Sequence, residues 1–84
     1  AAQCGLGVIM MRQGNVEGAI PHFRDALRAN PDSAQAHYCM AVAMYSRRDF
    51  EEAWREIHMS KLCGYKPNPR FLNALSKRMP EPGD

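Results

Sequence analysis

Histidine and cysteine are the side chains in this sequence whose chemistry could form a site. Three of each are present, and both types bind zinc or pair as a nucleophile and its base. His37 and Cys39 are two residues apart, and His58 and Cys63 are five apart. Residues that share a helix face are three or four apart, so neither pair converges on a helix. We therefore expect no metal site and no catalytic residue.

Other motifs that carry chemistry are also missing. The sequence has no Gly-rich phosphate loop and no His-Glu-x2-His motif. The carboxylates, including Asp25 and Glu56, fall on predicted polar helix faces, where solvated charge is the ordinary interpretation. No apolar run approaches the roughly 18 residues of a membrane span. We expect no cofactor, no membrane association and no enzymatic activity.

The composition is that of one small globular domain. The 84 residues are 45% hydrophobic and 24% charged, and 11 basic and 9 acidic side chains give a net charge of +2. This balance does not argue for nucleic acid as a partner. Basic residues concentrate late, with no acidic residue from 61 to 78: Lys61, Lys66, Arg70, Lys77 and Arg78. We interpret them as a solvated face, and a phosphate or RNA contact remains the alternative.

Cysteine usage and the first residue bear on the origin of the chain. Cys4, Cys39 and Cys63 are an odd number, which does not suit a disulfide framework and favours a reducing compartment such as the cytoplasm. Residue 1 is Ala rather than Met. We interpret the chain as a fragment or a processed form, and the compartment stays open because a targeting segment could lie upstream.

A shift of 34 residues aligns the sequence with itself. The aligned residues keep their size class and polarity at nearly every position: Leu6 with Met40, Gly7 with Ala41, Met10 with Met44, Asn15 with Asp49, Val16 with Phe50, Ala19 with Ala53, Ile20 with Trp54, Phe23 with Ile57, and Ala26 with Ser60. A single register sustained over so many positions indicates an internal repeat.

Each copy contains two stretches with the 3.6-residue apolar period of a helix, and a fifth stretch follows the second copy. The predicted helices span residues 2–13, 16–28, 34–47, 50–63 and 69–78. Gly64 lies just past the fourth helix, and Asn68-Pro69 has the residue order of a helix start.

Capping residues are predicted before three further helices. Asn15 precedes the second helix, and Asp32 or Ser33 precedes the third. Asp49 precedes the fourth, and Glu52 lies three residues further on, which predicts a capping box.

The period and the order of residues resemble the tetratricopeptide repeat (TPR), a unit of 34 residues with the pattern Trp, Leu-Gly, Tyr, Ala-x3-Phe and Pro. The first copy has Leu6-Gly7, Met10, Ala19-x3-Phe23, Ala26 and Pro31, with Gln3 in place of the Trp. The second copy has Met40-Ala41, Met44, Ala53-x3-Ile57 and Ser60, with His37 in place of the Trp and no closing Pro.

The resemblance implies an all-α fold, a right-handed α-solenoid of two TPR-like helical hairpins plus a C-terminal capping helix. It divides the chain into one domain at 1–79 and a flexible tail at 80–84. Within the domain, repeat one covers about 1–33, repeat two about 34–66 and the capping helix about 68–79. Gly7 and Ala41 are expected where the helices of each hairpin cross, opposite Phe23 and Ile57.

The first helix of each copy carries two apolar stripes. Leu6, Gly7 and Met10 form the predicted core stripe of the first copy, and Met40, Ala41 and Met44 that of the second. Roughly opposite lies what we call the second stripe: Cys4, Val8 and Met11 in the first copy and Tyr38, Val42 and Tyr45 in the second.

The resemblance implies that the second stripe lines a concave groove for a peptide or protein. Arg12 and Ser46 join it as predicted partner-binding residues, and Gln35 and Arg47 lie at its edge. Some TPR domains grip a terminal carboxylate with polar residues here, and the apolar stripe disfavours that mode. The alternative is that the stripe is buried against more of the same chain or a second copy.

We therefore expect a protein–protein interaction scaffold. The alternative is a self-association module or the terminal portion of a longer TPR array, and a nucleic-acid-binding helical repeat is a third hypothesis. Ile9 is the counterpart of Ala43, which should pack against the first hairpin. Ala2, Ile9 and Gln13 should therefore form an unfinished end face that either a preceding repeat of the full protein or a second copy covers, and we expect a dimer or extensive contact there or in the groove.

Overall fold

Five α-helices form the chain in a computed structural model, which describes residues 2–80, with side chains from residue 6 onward. The helices are α1 (Ala2–Arg12), α2 (Val16–Ala29), α3 (Ala34–Ser46), α4 (Phe50–Leu62) and α5 (Pro69–Arg78). Residues 2–80 contain no strand. The predicted all-α class is confirmed, and each helix begins and ends within one residue of its predicted position.

The helices pack as two hairpins in contact. α1 packs against α2 and α3 against α4, and turns of three residues at 13–15 and 47–49 join them. Such short turns make paired helices antiparallel. α2 packs against α3, and α1 also touches α3, so the two hairpins form one stack. The boundaries between repeat one, repeat two and the capping helix stay a prediction.

The helices of the first hairpin cross closely at Gly7. A Cβ atom placed there would lie 2.4 Å from Cε1 and 2.6 Å from Cζ of Phe23. Phe23 is completely buried, so its ring has no open space to move into. The predicted position of Gly7 opposite Phe23 is confirmed. In the second hairpin, Ala41 and Ile57 are both fully buried.

Side-chain caps begin three of the helices. The side chain of Asn15 accepts a hydrogen bond from the Gly18 amide at 3.0 Å. Ser33, rather than Asp32, caps α3, since its hydroxyl accepts from the Ala36 amide at 3.3 Å. At the start of α5, the Asn68 side chain accepts from the Arg70 amide at 2.9 Å. These caps satisfy amides that lack partners inside the helix.

The capping box predicted at the start of α4 is wrong. The Asp49 side chain makes no capping hydrogen bond. Glu52 accepts instead from the Arg55 guanidinium at 2.7 Å, and Glu51 lies 3.4 Å from the same group. A cation one turn further along the helix therefore binds the carboxylate that a capping box would have used.

Both hairpin turns contain a residue with left-handed backbone at equivalent positions of the repeat. Gly14 has φ of 85° and Arg48, which lies 34 residues later, has φ of 65°. Glycine adopts this conformation without steric cost, whereas a residue with a Cβ atom does so at about 1 kcal/mol. The second turn thus keeps the backbone path of the first despite the loss of its glycine.

The outer side of α1 is exposed, in contrast to the equivalent side of α3. Leu6 is 52% and Ile9 53% exposed, whereas their counterparts Met40 and Ala43 are 7% and 0% exposed. α3 packs against α2, while no helix within the described residues precedes α1. The prediction that Leu6 belongs to the core is therefore wrong. We call Leu6 and Ile9 the α1 outer face.

The predicted uncovered end face is confirmed for Ile9 and Gln13, which are both exposed, and the side chain of Ala2 lies outside the described residues. At the opposite end, α5 covers the stack. Leu75 is fully buried, and three further side chains of this segment pack against the core: Phe71, Leu72 and Met79. None of the five helices, as far as residues 2–80 are described, combines the length and apolar character needed to cross a membrane.

Candidate protein-binding surface

The second stripe runs along two helices that touch, α1 and α3. Val8 and Met11 on α1 are half-buried and pack against the core. Tyr38 and Tyr45 on α3 do the same, and Val42 between them is half-buried. The predicted side chain of Cys4 lies outside the described residues. Each described apolar member of the stripe therefore keeps part of its surface accessible.

Five aromatic rings form a row that includes both tyrosines of the second stripe. In order, the centroid distances are 5.0 Å from Tyr65 to Tyr38, 5.6 Å from Tyr38 to Phe71, 5.4 Å from Phe71 to Tyr45 and 5.6 Å from Tyr45 to Phe50. Rings at these separations attract one another when tilted or edge-on. Phe71 of α5 thus lies between two residues of the second stripe. The sequence did not reveal this position of Phe71.

Burial also affects the titration of Tyr38. Its removal from water raises the pKa of the phenol above the ordinary value of 10.0, and nearby Tyr65 adds to the increase. A hydrogen bond with the Asn68 backbone acts in the opposite direction. The hydroxyl group therefore stays neutral at physiological pH, and the second stripe carries no charge at this position.

Polar residues lie at the ends of the stripe. Arg12 and Ser46, predicted to join the site, are both exposed, as is Gln35. The guanidinium of Arg47 lies 2.9 Å from the Glu17 carboxylate on α2, in an ion pair open to solvent. Such an exposed pair contributes little to stability. The apolar stripe therefore has a hydrated polar edge.

A buried histidine links three segments next to this surface. His37 Nδ1 lies 2.7 Å from Oε1 of Glu56 on α4, and Nε2 lies 2.9 Å from the carbonyl oxygen of Pro31. The Pro31 carbonyl can only accept, so Nε2 donates to it. The interpretation of Glu56 as a solvated carboxylate is wrong, because its side chain is only 19% exposed. The pair holds α3, α4 and the loop between the hairpins together.

No arrangement for metal chemistry accompanies this pair. Within the part of the chain whose side chains are described, no three residues of the types His, Cys, Asp and Glu are grouped to hold a metal ion. Both His37 nitrogens already have hydrogen-bond partners. The pair therefore acts as a structural link.

Residues 7–47 match the family model described as TPR repeat. The match begins within α1 and extends through α2 and α3. This match supports the resemblance of the segment to TPR repeats, and the all-α stack is consistent with it. TPR repeats generally mediate protein–protein interactions, and the family is typically a non-enzymatic scaffold. Comparisons with curated proteins and with solved structures give no match.

Proposed function

We propose that the chain is a protein-interaction module that binds a peptide or protein segment along the second stripe. The observation that carries this proposal is the partial exposure of apolar side chains at equivalent positions on α1 and α3, namely Val8, Met11, Tyr38, Val42 and Tyr45. Apolar side chains aligned on neighbouring helices with a polar edge are typical of an interaction surface.

The chemistry of the stripe favours a partner that contributes apolar side chains. Tyr38 is neutral, and the charged groups Arg12 and Arg47 lie at the edge, where Arg47 already pairs with Glu17. Burial of apolar area would therefore supply most of the binding free energy. Such binding depends little on ionic strength, because surface charges contribute little to it.

Substitution of Val42 by Asp is expected to weaken partner binding about tenfold or more, because a carboxylate would be desolvated at the centre of the stripe. Val42 suits this test better than Tyr45, which also contacts Phe50 and Phe71. A displayed peptide library is selected on the wild-type chain, and the affinity of each enriched peptide is measured on both proteins.

The matched control is Leu62→Asp, since Leu62 is 81% exposed at the end of α4 and lies outside the stripe. Enriched peptides should bind this variant as they bind the wild type, and circular dichroism should find both variants equally helical. Equal binding to the Val42→Asp and wild-type chains, or a selection that enriches no peptide, would exclude the stripe as the site.

A second candidate function, self-association, is favoured by the α1 outer face. Leu6 and Ile9 are half exposed although their counterparts on α3 are buried. Because an α1 packed against a second chain would remove this apolar area from water, we expect a dimer whose sedimentation depends on concentration.

Ile9→Glu should shift the dimer toward monomer about tenfold or more, since it places a charge in the interface. The control Leu62→Glu introduces the same charge at an exposed apolar residue elsewhere and should leave the equilibrium unchanged. A wild-type chain that sediments as a monomer at every concentration would refute self-association.

A further inference from the structure

We propose that the partner suited to the second stripe is an amphipathic helix that presents an aromatic and an aliphatic residue one turn apart. In the chain alone, Phe71 of α5 occupies the α3 part of the stripe, between Tyr38 and Tyr45, and the partner helix displaces α5 from there. This inference rests on the proposed function of the second stripe and specifies which class of segment binds there.

The contacts of Phe71 define the aromatic part of this requirement. Its ring lies 5.6 Å from Tyr38 and 5.4 Å from Tyr45, with interplanar angles of 75° and 63°. Edge-on contacts to two tyrosines select an aromatic ring by geometry as well as by apolar area. The space between Tyr38 and Tyr45 is therefore a binding site for an aromatic ring, which we call the seat.

Leu75 defines the aliphatic part. It follows Phe71 by four residues on α5, so the two side chains lie on the same helix face. Leu75 is completely buried, and Phe71 is half-buried. Any helix that presents this pair of side chains can make the same contacts in place of α5.

α5 is attached in a way that permits exchange. The helices of the first hairpin cross closely at Gly7, whereas α5 meets the stack mainly through side chains. Hydrogen bonds hold both ends of α5: Trp54 Nε1 donates to the Met79 carbonyl at 2.9 Å, and Tyr38 hydrogen-bonds with the Asn68 backbone. Among the described residues, no ion pair links α5 to the other helices. Between these two hydrogen bonds, α5 is held by apolar contacts that another helix can reproduce.

The outward side of α5 is consistent with this exchange. Arg70 and Lys77 are exposed, seven residues apart on one side of the helix. They remain in water whether or not α5 is seated, so displacement leaves no charge buried and unpaired. The segment from Cys63 to Asn68, which joins α4 to α5, contains no helix and can carry α5 away without unwinding α4.

Competition between α5 and a second helix follows from this arrangement. A tethered helix has a high effective concentration at its own seat. The apparent affinity of a helix added in solution therefore equals its intrinsic affinity multiplied by the fraction of chains in which the seat is empty. Weakening α5 should strengthen the binding of the added helix by the same factor.

The test uses a fluorescent synthetic peptide with the sequence of residues 67–80 as the added helix and the full-length chain as its receptor. Fluorescence anisotropy measures its binding to the wild-type and Phe71→Ala chains. We expect about tenfold tighter binding to Phe71→Ala, because loss of the ring empties the seat more often. A peptide that itself carries Phe71→Ala should bind neither chain measurably.

Lys77→Ala in the chain is the matched control, since it alters the exposed side of α5 and should leave peptide binding at the wild-type level. Should Phe71→Ala lower the helicity of the chain, Phe71→Leu replaces it, with an expected gain of about threefold because part of the apolar contact is kept. Equal binding to the wild-type chain and the Phe71 variants, or equal binding of the two peptides, would overturn the inference.

These outcomes separate the inference from the proposed function. If peptides selected from the library still depend on Val42 while the 67–80 peptide does not respond to Phe71→Ala, the stripe binds partners but α5 does not compete for it. If the 67–80 peptide binds Phe71→Ala more tightly while selected peptides ignore Val42→Asp, the seat is a helix exchange site and the wider groove is not used.

Discussion

Substitution of Gly7 by Val is expected to lower the free energy of unfolding by about 3 kcal/mol, near the upper end of the usual cost of overpacking a core. Even the first added carbon would lie 2.4 Å from the buried Phe23 ring, and two methyl groups would follow it. Since small domains have a free energy of unfolding of only about 5–15 kcal/mol, this loss should be visible in any denaturant titration.

Two companion variants test the reason for this loss. Gly14→Ala should cost only about 1 kcal/mol, the price of a left-handed backbone, because nothing lies within 4 Å of its added carbon. Adding Phe23→Leu to Gly7→Val should recover part of the stability, since it removes the ring atoms that clash. If Gly7→Val is as stable as the wild type, or the second substitution only adds to the loss, the close crossing at Gly7 is not what limits this position.

Removal of the Glu56 carboxylate is expected to destabilise the domain by about 2 kcal/mol, the usual cost of leaving a buried polar group without its hydrogen-bond partner. Glu56→Ala leaves Nδ1 of His37 without its hydrogen-bond partner, and His37 is only 8% exposed. Thermal unfolding of Glu56→Ala, His37→Ala and the double variant would measure the coupling between the two side chains.

The exposed ion pair between Arg47 and Glu17 provides the comparison. Its 2.9 Å distance is close to the 2.7 Å of the buried pair, but Glu17→Ala should cost only about 0.5 kcal/mol because water already solvates both groups. Equal losses in the Glu17 and Glu56 variants would mean that burial does not strengthen the His37 contact.

Most of the fold could be predicted because its signals are local. Helix boundaries depend on the apolar period and on capping residues such as Asn15 and Ser33, which act on amides within three residues. The close crossing at Gly7 was predictable from its place in the repeat, opposite Phe23. Asp49 shows the limit of reasoning from residue patterns, because its backbone N–H donates to the Met44 carbonyl at 2.8 Å and Glu52 binds Arg55 instead of forming a capping box.

Features that depend on distant contacts were not predictable. His37 and Glu56 are 19 residues apart, and neither spacing nor type distinguishes them from solvated residues. The exposure of Leu6 depends on whether a helix packs on α1, which the 34-residue register alone does not specify. The position of Phe71 between two tyrosines likewise depends on the packing of α5, although its apolar face could be recognised.

The two ends of the described stack present different surfaces, which bears on the self-association proposed above. Head-to-tail polymers need two complementary faces on every subunit. Here α1 offers Leu6 and Ile9, whereas the far end is covered by α5, whose outer side carries Arg70 and Lys77. In the proposed dimer, the two α1 outer faces would cover each other and the α5 ends would present Arg70 and Lys77, so this mode of pairing would not extend into a filament.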